Sequence, residues 1–488
     1  MRRLSTIGVL VLAFNATRGA EPAVEKVSYY GQIRPLFSQH CQGCHQPAKA
    51  NGGYVMSEFA GLAKAGEAGK PGIVAGKPET SYLVELIRSK AGKAEMPKGK
   101  DPLPELQVKL IAEWIRQGAV DDTPASAKAA AVDDKHPPIY FAPPVVTSVA
   151  YSPDEKYLAV AGYHEILLHK ADGSGIAARL VGLSERIQSL AFSPDGKSLA
   201  ASAGDPGRVG EIQVWDLEKK KLKHSFPLTF DTLYGLSWSP DGATLAVGCA
   251  DNTVRAVDSA TGKQVLQMGT HSDWVIGTAF SQDGQHLASV SRDMSVKLTE
   301  VPTQRFVDNV TSITPGALKG GIMALDRRPM KEKKMAKVPD DTPNAPARVY
   351  DELLFGGSDG APYLYKMHRE TKRVIGDDAN KIRKYESLPG RITSLAFDGT
   401  GARFAATSSL DGKGEVRIYD TDADKKKFVC EKIAGAVYAV SWSPKGDRIA
   451  SSGFDGTVWI HNAADGKLIT QFVAVPLASL KTSTPLTK

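Results

Sequence analysis

Cysteine is scarce in this 488-residue chain: there are four, and two of them stand in Cys41-Gln-Gly-Cys44-His45. The other two, Cys249 and Cys430, lie far apart, so no dense disulfide framework is present. Also missing is any run of about 20 uninterrupted apolar residues, and no segment therefore reads as a membrane helix. Charge of one sign is not concentrated either. Lys and Arg total 61 against 54 Asp and Glu, a net charge of +7, with the positive residues scattered. That distribution gives no signal for nucleic-acid binding and reads as a solvated surface. From residue 140 onward there is no nucleophile–base pair, no glycine-rich phosphate loop and no metal-ligand cluster in the sequence.

What the chain does have begins with length, which favours two domains over one. Its 46 glycines and 29 prolines call for many turns and a β-rich architecture. Arg2 and Arg3 precede an apolar run from Ile7 to Phe14, the charged-then-apolar order of a signal peptide over residues 1–20. The expected mature protein is soluble, without a transmembrane segment, and periplasmic or otherwise extracytoplasmic.

Three chemistries could use the pentapeptide. A disulfide or redox dithiol needs only Cys41 and Cys44 and leaves His45 idle. Zinc needs two further ligands, and Cys249 and Cys430 read instead as buried strand residues. Covalent haem attachment employs all three side chains: two thiols three positions apart form thioethers, and the next residue is placed as the proximal iron ligand. Gln42 and Gly43 read as spacers.

The flanks agree. "YYGQIRPLFSQH" (29–40) is amphipathic, with Ile33, Leu36 and Phe37 on its apolar side. "PELQVKLIAEWIRQGA" (104–119) predicts a helix, with Leu106, Leu110 and Trp114 at i+4 spacing, Ile111 and Ile115 beside them, and Gly118 as its stop. Met96, in the "AEMPKGK" loop before that helix, can lie across the distal haem face, whereas Met56 reads as packing. His40 and His136 are poorly placed to reach that face. Residues 121–139, rich in Ala, Asp and Pro, read as a linker, so residues 24–120 and the remainder are each expected to fold alone.

Beyond residue 140 the sequence repeats. "SVAYSPDEKYLAVAG", "SLAFSPDGKSLAASA", "GLSWSPDGATLAVGC" and "GTAFSQDGQHLASVS" align, with Ser152, Ser193, Ser239 and Ser281 spaced by 41, 46 and 42 residues. Two further copies start at residues 394 and 439, and a degenerate one at 321–329 resumes at 352–366 after a charged insertion. These repeats resemble the WD-repeat family, which implies an all-β seven-bladed propeller over 140–478 that binds protein. Trp215-Asp216 is the literal Trp-Asp, with Val257-Asp258 and Tyr419-Asp420 standing in elsewhere, and Thr270-His271 approximates the family's Gly-His.

"QIRPLFSQHCQGCHQ", "NGGYVMSEFAGL", "GIVAGKPETSYLVELI", "EMPKG" and "LIAEWIRQGA" resemble, in that order, the planctomycete-type cytochrome c domain. That resemblance implies a small all-α domain over 24–120 with one covalent haem c on Cys41 and Cys44. His45 and Met96 would then be the iron ligands. The whole reads as a multidomain electron-transfer or redox-sensing protein with an unknown redox partner, rather than an enzyme. The alternative is a haem-dependent reductase or oxidase with its active site on the propeller, drawing ligands from His164, His169, His224, His271, His286, His368 or His461.

Overall fold

The computed structural model describes residues 26–47, 49–124, 132–312, 318–337, 348–372, 374 and 376–478. The expected signal segment lies outside the described residues, as do 125–131 of the expected linker.

A wide helical turn over Tyr29–Ile33 runs into α1 (Arg34–His40). Two short strands follow, β1 (His45–Gln46) and β2 (Lys49–Ala50), then α2 (Phe59–Leu62), α3 (Tyr82–Ile87) and α4 (Glu105–Arg116). The helices meet on Trp114, whose ring stacks on Tyr29 at 5.4 Å between centroids and takes Phe37 and Phe59 edge-on, each at 6.3 Å. Ile111 and Ile115 are buried on the same side of α4. Burying such side chains stabilises by about 1.5–3 kcal/mol each, which is what holds so short a helical unit together. Leu106, expected on that face, is exposed. Positions four apart drift by about 40° per step around an α-helix, so a row centred on Trp114 leaves the core within two steps. Gly118 does stop the helix: its φ is +98°, and the next amide, of Ala119, donates back to the Trp114 carbonyl at 2.9 Å.

Strands take over from residue 149. β3 (Val149–Tyr151), β4 (Tyr157–Ala161), β5 (Tyr163–Lys170), β6 (Ile176–Phe192), β7 (Ser198–Asp205), β8 (Val209–Asp216) and β9 (Lys221–Thr229) form one antiparallel sheet in sequence order. β6 is long because it serves twice: its first part pairs with β5 and its last part with β7. Five four-stranded antiparallel sheets follow, spanning 233–268, 275–309, 322–384, 391–429 and 437–473. The degenerate repeat is whole, since Ile322–Arg327 pairs with Glu352–Gly357 across the insertion.

The aligned serines explain the repeat physically. Ser152 Oγ donates to Asp154 at 2.7 Å and accepts from the Tyr157 amide at 2.9 Å, closing the turn between two strands. The same two bonds recur at Ser193, Ser239 and Ser281. At 398, where aspartate replaces the serine, its carboxylate takes the amides of Thr400 and Arg403 directly. Second strands such as His286–Ser291 and Glu352–Gly357 are buried at every position, because neighbouring sheets cover both faces. Outer strands such as Leu468–Val473 alternate between half-buried and exposed. The first and last sheets touch: the Tyr151 amide donates to Ser441 Oγ at 3.1 Å, the Val146 amide to the Gly453 carbonyl at 2.9 Å, and His169 Nε2 meets the Ala474 carbonyl at 2.8 Å.

Candidate functional site

The pentapeptide continues α1 as a tight turn. Cys41 N and Gln42 N both donate to the Phe37 carbonyl, and Cys44 N and His45 N both donate to the Cys41 carbonyl. This winding puts both thiols on one turn, Cys41 half-buried and Cys44 exposed, and neither is in a disulfide. Burial, reinforced by the neighbouring Cys44, pushes the Cys41 thiol up to about 12.

His45 is held by the strand-like segment 54–56. Its Nδ1 lies 3.2 Å from the Tyr54 carbonyl, and its own carbonyl accepts from the Met56 amide at 2.8 Å. An Nδ1–H bonded to a carbonyl orients the ring, and the Asn51 backbone reaches it as well. Burial lowers the His45 pKa, so the ring is neutral near pH 7 and fit to ligate. The Tyr54 ring stands edge-on to it at 5.9 Å.

Met96 hangs from α3 through its amide, which donates to the Leu86 carbonyl at 3.0 Å. Its half-buried side chain packs against the same core as Cys41 and Tyr54. Met56 is fully buried in that core. His40 is half-buried with Nε2 unpartnered, and burial together with Lys100 lowers its pKa. Gln46 Oε1 and Ser57 Oγ are also buried without partners.

Two residues read as spacers do more than space. The buried Gln42 side chain accepts from Ser38 Oγ at 3.0 Å and donates to the Met56 carbonyl at 3.1 Å, tying α1 to the segment that holds His45. Gly43 is buried against β9: a Cβ there would stand 2.5 Å from the Ser225 carbonyl oxygen and 3.0 Å from Pro227 Cδ. No periodicity could have revealed either, since both depend on tertiary neighbours.

The linker's ends are anchored. Asp122 accepts from the Tyr30 amide at 2.7 Å on the helical side. Asp134 pairs with Lys221 at 2.5 Å, and Pro138 accepts from Arg179 at 2.7 Å, on the sheet side.

The strand-region histidines are dispersed. His271 bonds Asp293 at 2.9 Å and Ser289 at 2.8 Å, binding a turn to its own sheet. His461 gives Nε2 to the Glu431 carbonyl and His164 its Nδ1 to Leu183, while His224 stacks on Phe226. Among the described residues no three His, Cys, Asp or Glu side chains come together as a metal-holding group. His286 and His368 do face each other, buried, at 4.6 Å between ring centroids, with all four nitrogens unpartnered. Burial lowers both, and the neighbouring His286 and Arg348 add to it at His368, which is held down at about 3 against the pull of Asp283. An unfolded histidine titrates near pH 6.5, so the unfolded chain binds more protons at lower pH. Stability is therefore full above about pH 6.5 and falls as pH drops from there toward the folded-state pKa, by a few kcal/mol in all. Urea midpoints measured from pH 7 to 4.5 should decline, and His368→Leu should flatten that slope. An unchanged slope would show that this pair does not carry it.

Comparison with known proteins bears on both regions. Residues 41–99 match the family "Planctomycete cytochrome C", a segment that opens on Cys41 and includes His45 and Met96. Residues 262–299 and 427–462 match "WD domain, G-beta repeat", and 231–278 match "Anaphase-promoting complex subunit 4 WD40 domain". The chain joins a planctomycete cytochrome C domain to WD40 repeats. Among similar proteins, the WD repeat-containing protein 26 homolog of Arabidopsis thaliana is 23% identical over 64% of this chain and 47% of its own length. The Periodic tryptophan protein 2 homolog of Caenorhabditis elegans is 24% identical over 66% of this chain and 31% of its own. An uncharacterized WD repeat-containing protein of Synechocystis is 33% identical over 27% and 36%, respectively. The chain thus spans less than half the length of each of these relatives. WD40 repeats thus follow a cytochrome c-like domain in this chain. Among the described residues no helix is long and apolar enough to cross a membrane.

Proposed function

We propose that the protein is an exported c-type cytochrome carrying one haem, covalently bound through Cys41 and Cys44, for electron transfer or redox sensing. The observation that carries this reading is the His45 ring, oriented through Nδ1 by the Tyr54 carbonyl, beside two unbridged thiols on one turn. The residues fit the group. Cys41 and Cys44 would hold it, His45 would be its proximal ligand and Met96 its distal one. When bound, haem supplies one-electron exchange at iron, and His/Met ligation raises its potential. This chain's residues orient that group: Gln42 and the 54–56 segment fix the His45 ring, and Cys41 packs against the core around Trp114.

The sheets, in this reading, close as a seven-bladed propeller. Support comes from the doubled use of β6, which divides the first sheet into two four-stranded units, and from the contacts joining first and last sheets. The propeller would dock a partner protein, and the charged-then-apolar residues 1–20 support export to the periplasm. A reductase reading needs cofactor ligands from the sheets, where His271 spends both ring nitrogens on Asp293 and Ser289, and where no third ligand-type side chain joins His286 and His368 among the described residues. A pyridine-haemochrome spectrum of the mature protein tests this proposal. One c-type haem per chain supports it; a second haem type would favour the reductase, and none would overturn it.

A further inference from the structure

The outward edge of β9 is occupied. β9 is the last strand of its sheet, so one side of its backbone has no strand partner, and such an edge invites pairing with whatever lies beside it. Two of its carbonyls, of Lys223 and Ser225, are met by the haem-attachment region: Lys49 Nζ donates to Lys223 at 2.8 Å, and Gly43 lies on Ser225. Arg208, in the turn leading into β8, donates to Tyr30 Oη at 3.0 Å, and the Asp134–Lys221 pair closes the same side. Only glycine permits this approach at 43, since any Cβ would overlap a backbone carbonyl that cannot rotate away.

We propose that the free edge of β9 is the docking surface for the Cys41–His45 turn, with Gly43 as its contact residue. The cytochrome module and the sheets then act as one body and are not merely tethered. Docking sets where the prosthetic group stands relative to any protein bound on the sheets, and it shields the Gly43 side of the turn from a bulky redox partner. The redox consequence rests on the haem reading above; the docking itself does not, because backbone and glycine make the contact.

Hydrogen exchange read by mass spectrometry on the full chain tests it. In Gly43→Val, exchange in peptides covering 41–46 and 221–229 should speed at least tenfold, while Ser198–Asp205, in the middle of the same sheet, keeps wild-type protection. The double variant Lys49→Ala, Arg208→Ala removes only polar contacts and should move the same two peptides in the same direction. It also decides the matter if Gly43→Val fails to fold. Unchanged exchange in both peptides would overturn the docking. The measurement works equally on haem-free chain, so failure of the haem reading, seen in the spectrum, stays separate from failure of the docking.

Discussion

A chain with Cys41 and Cys44 both changed to serine is expected to emerge without covalent haem, where wild type expressed beside c-type maturation machinery carries one per chain. Thioether formation needs a thiol at each position, and the chain has no substitute. Cys249 and Cys430 are buried, neither belongs to a Cys-x-x-Cys-His sequence, and burial holds both thiols up at about 12. The expected effect is therefore complete loss. Denaturing electrophoresis with haem staining, together with intact mass, reads it directly: the wild-type band should stain and exceed the polypeptide mass by one haem. The double variant should do neither. Its helical unit should also melt at lower temperature, because a group bound only to the folded state stabilises that state. A wild-type mass equal to the bare polypeptide would remove the haem assignment altogether.

Much of the fold was legible because its signals are local. Each Ser-x-Asp turn closes on its own residues, so the bonds seen at Ser152, Ser193, Ser239 and Ser281 leave a mark at regular spacing. The pentapeptide is local in the same sense, since one helical turn contains it. What the sequence hid is long-range. Gly43 looks like filler until Ser225 is placed against it, 182 positions further on by their numbers. The linker shows no apolar stripe, and in its described residues Asp122 and Asp134 fasten the ends by polar contacts that have no period. Leu106 misled for a geometric reason, the drift of an i+4 row around α4.

The two methionines of the cytochrome module should separate cleanly by experiment. Met56 is fully buried among Phe37, Leu62 and Trp114, and its backbone is clamped on both sides, by His45 and by Gln42. Truncation there leaves a cavity, and Met56→Ala should cost about 2–5 kcal/mol of stability. Met96 sits at the rim of that core, half-buried, on a loop tied to α3 by one backbone bond. Its truncation should cost much less packing energy. The spectroscopic effects should run the other way. A thioether on ferric haem gives a weak near-infrared band, so Met96→Ala should abolish that band and lower the midpoint potential, while Met56→Ala keeps the band in whatever fraction stays folded. Urea unfolding beside near-infrared absorption, on both variants under one set of conditions, gives four numbers that fix the roles. Loss of the band in folded Met56→Ala with retention in Met96→Ala would reverse the assignment, and with it the proposal that Met96 is the distal ligand.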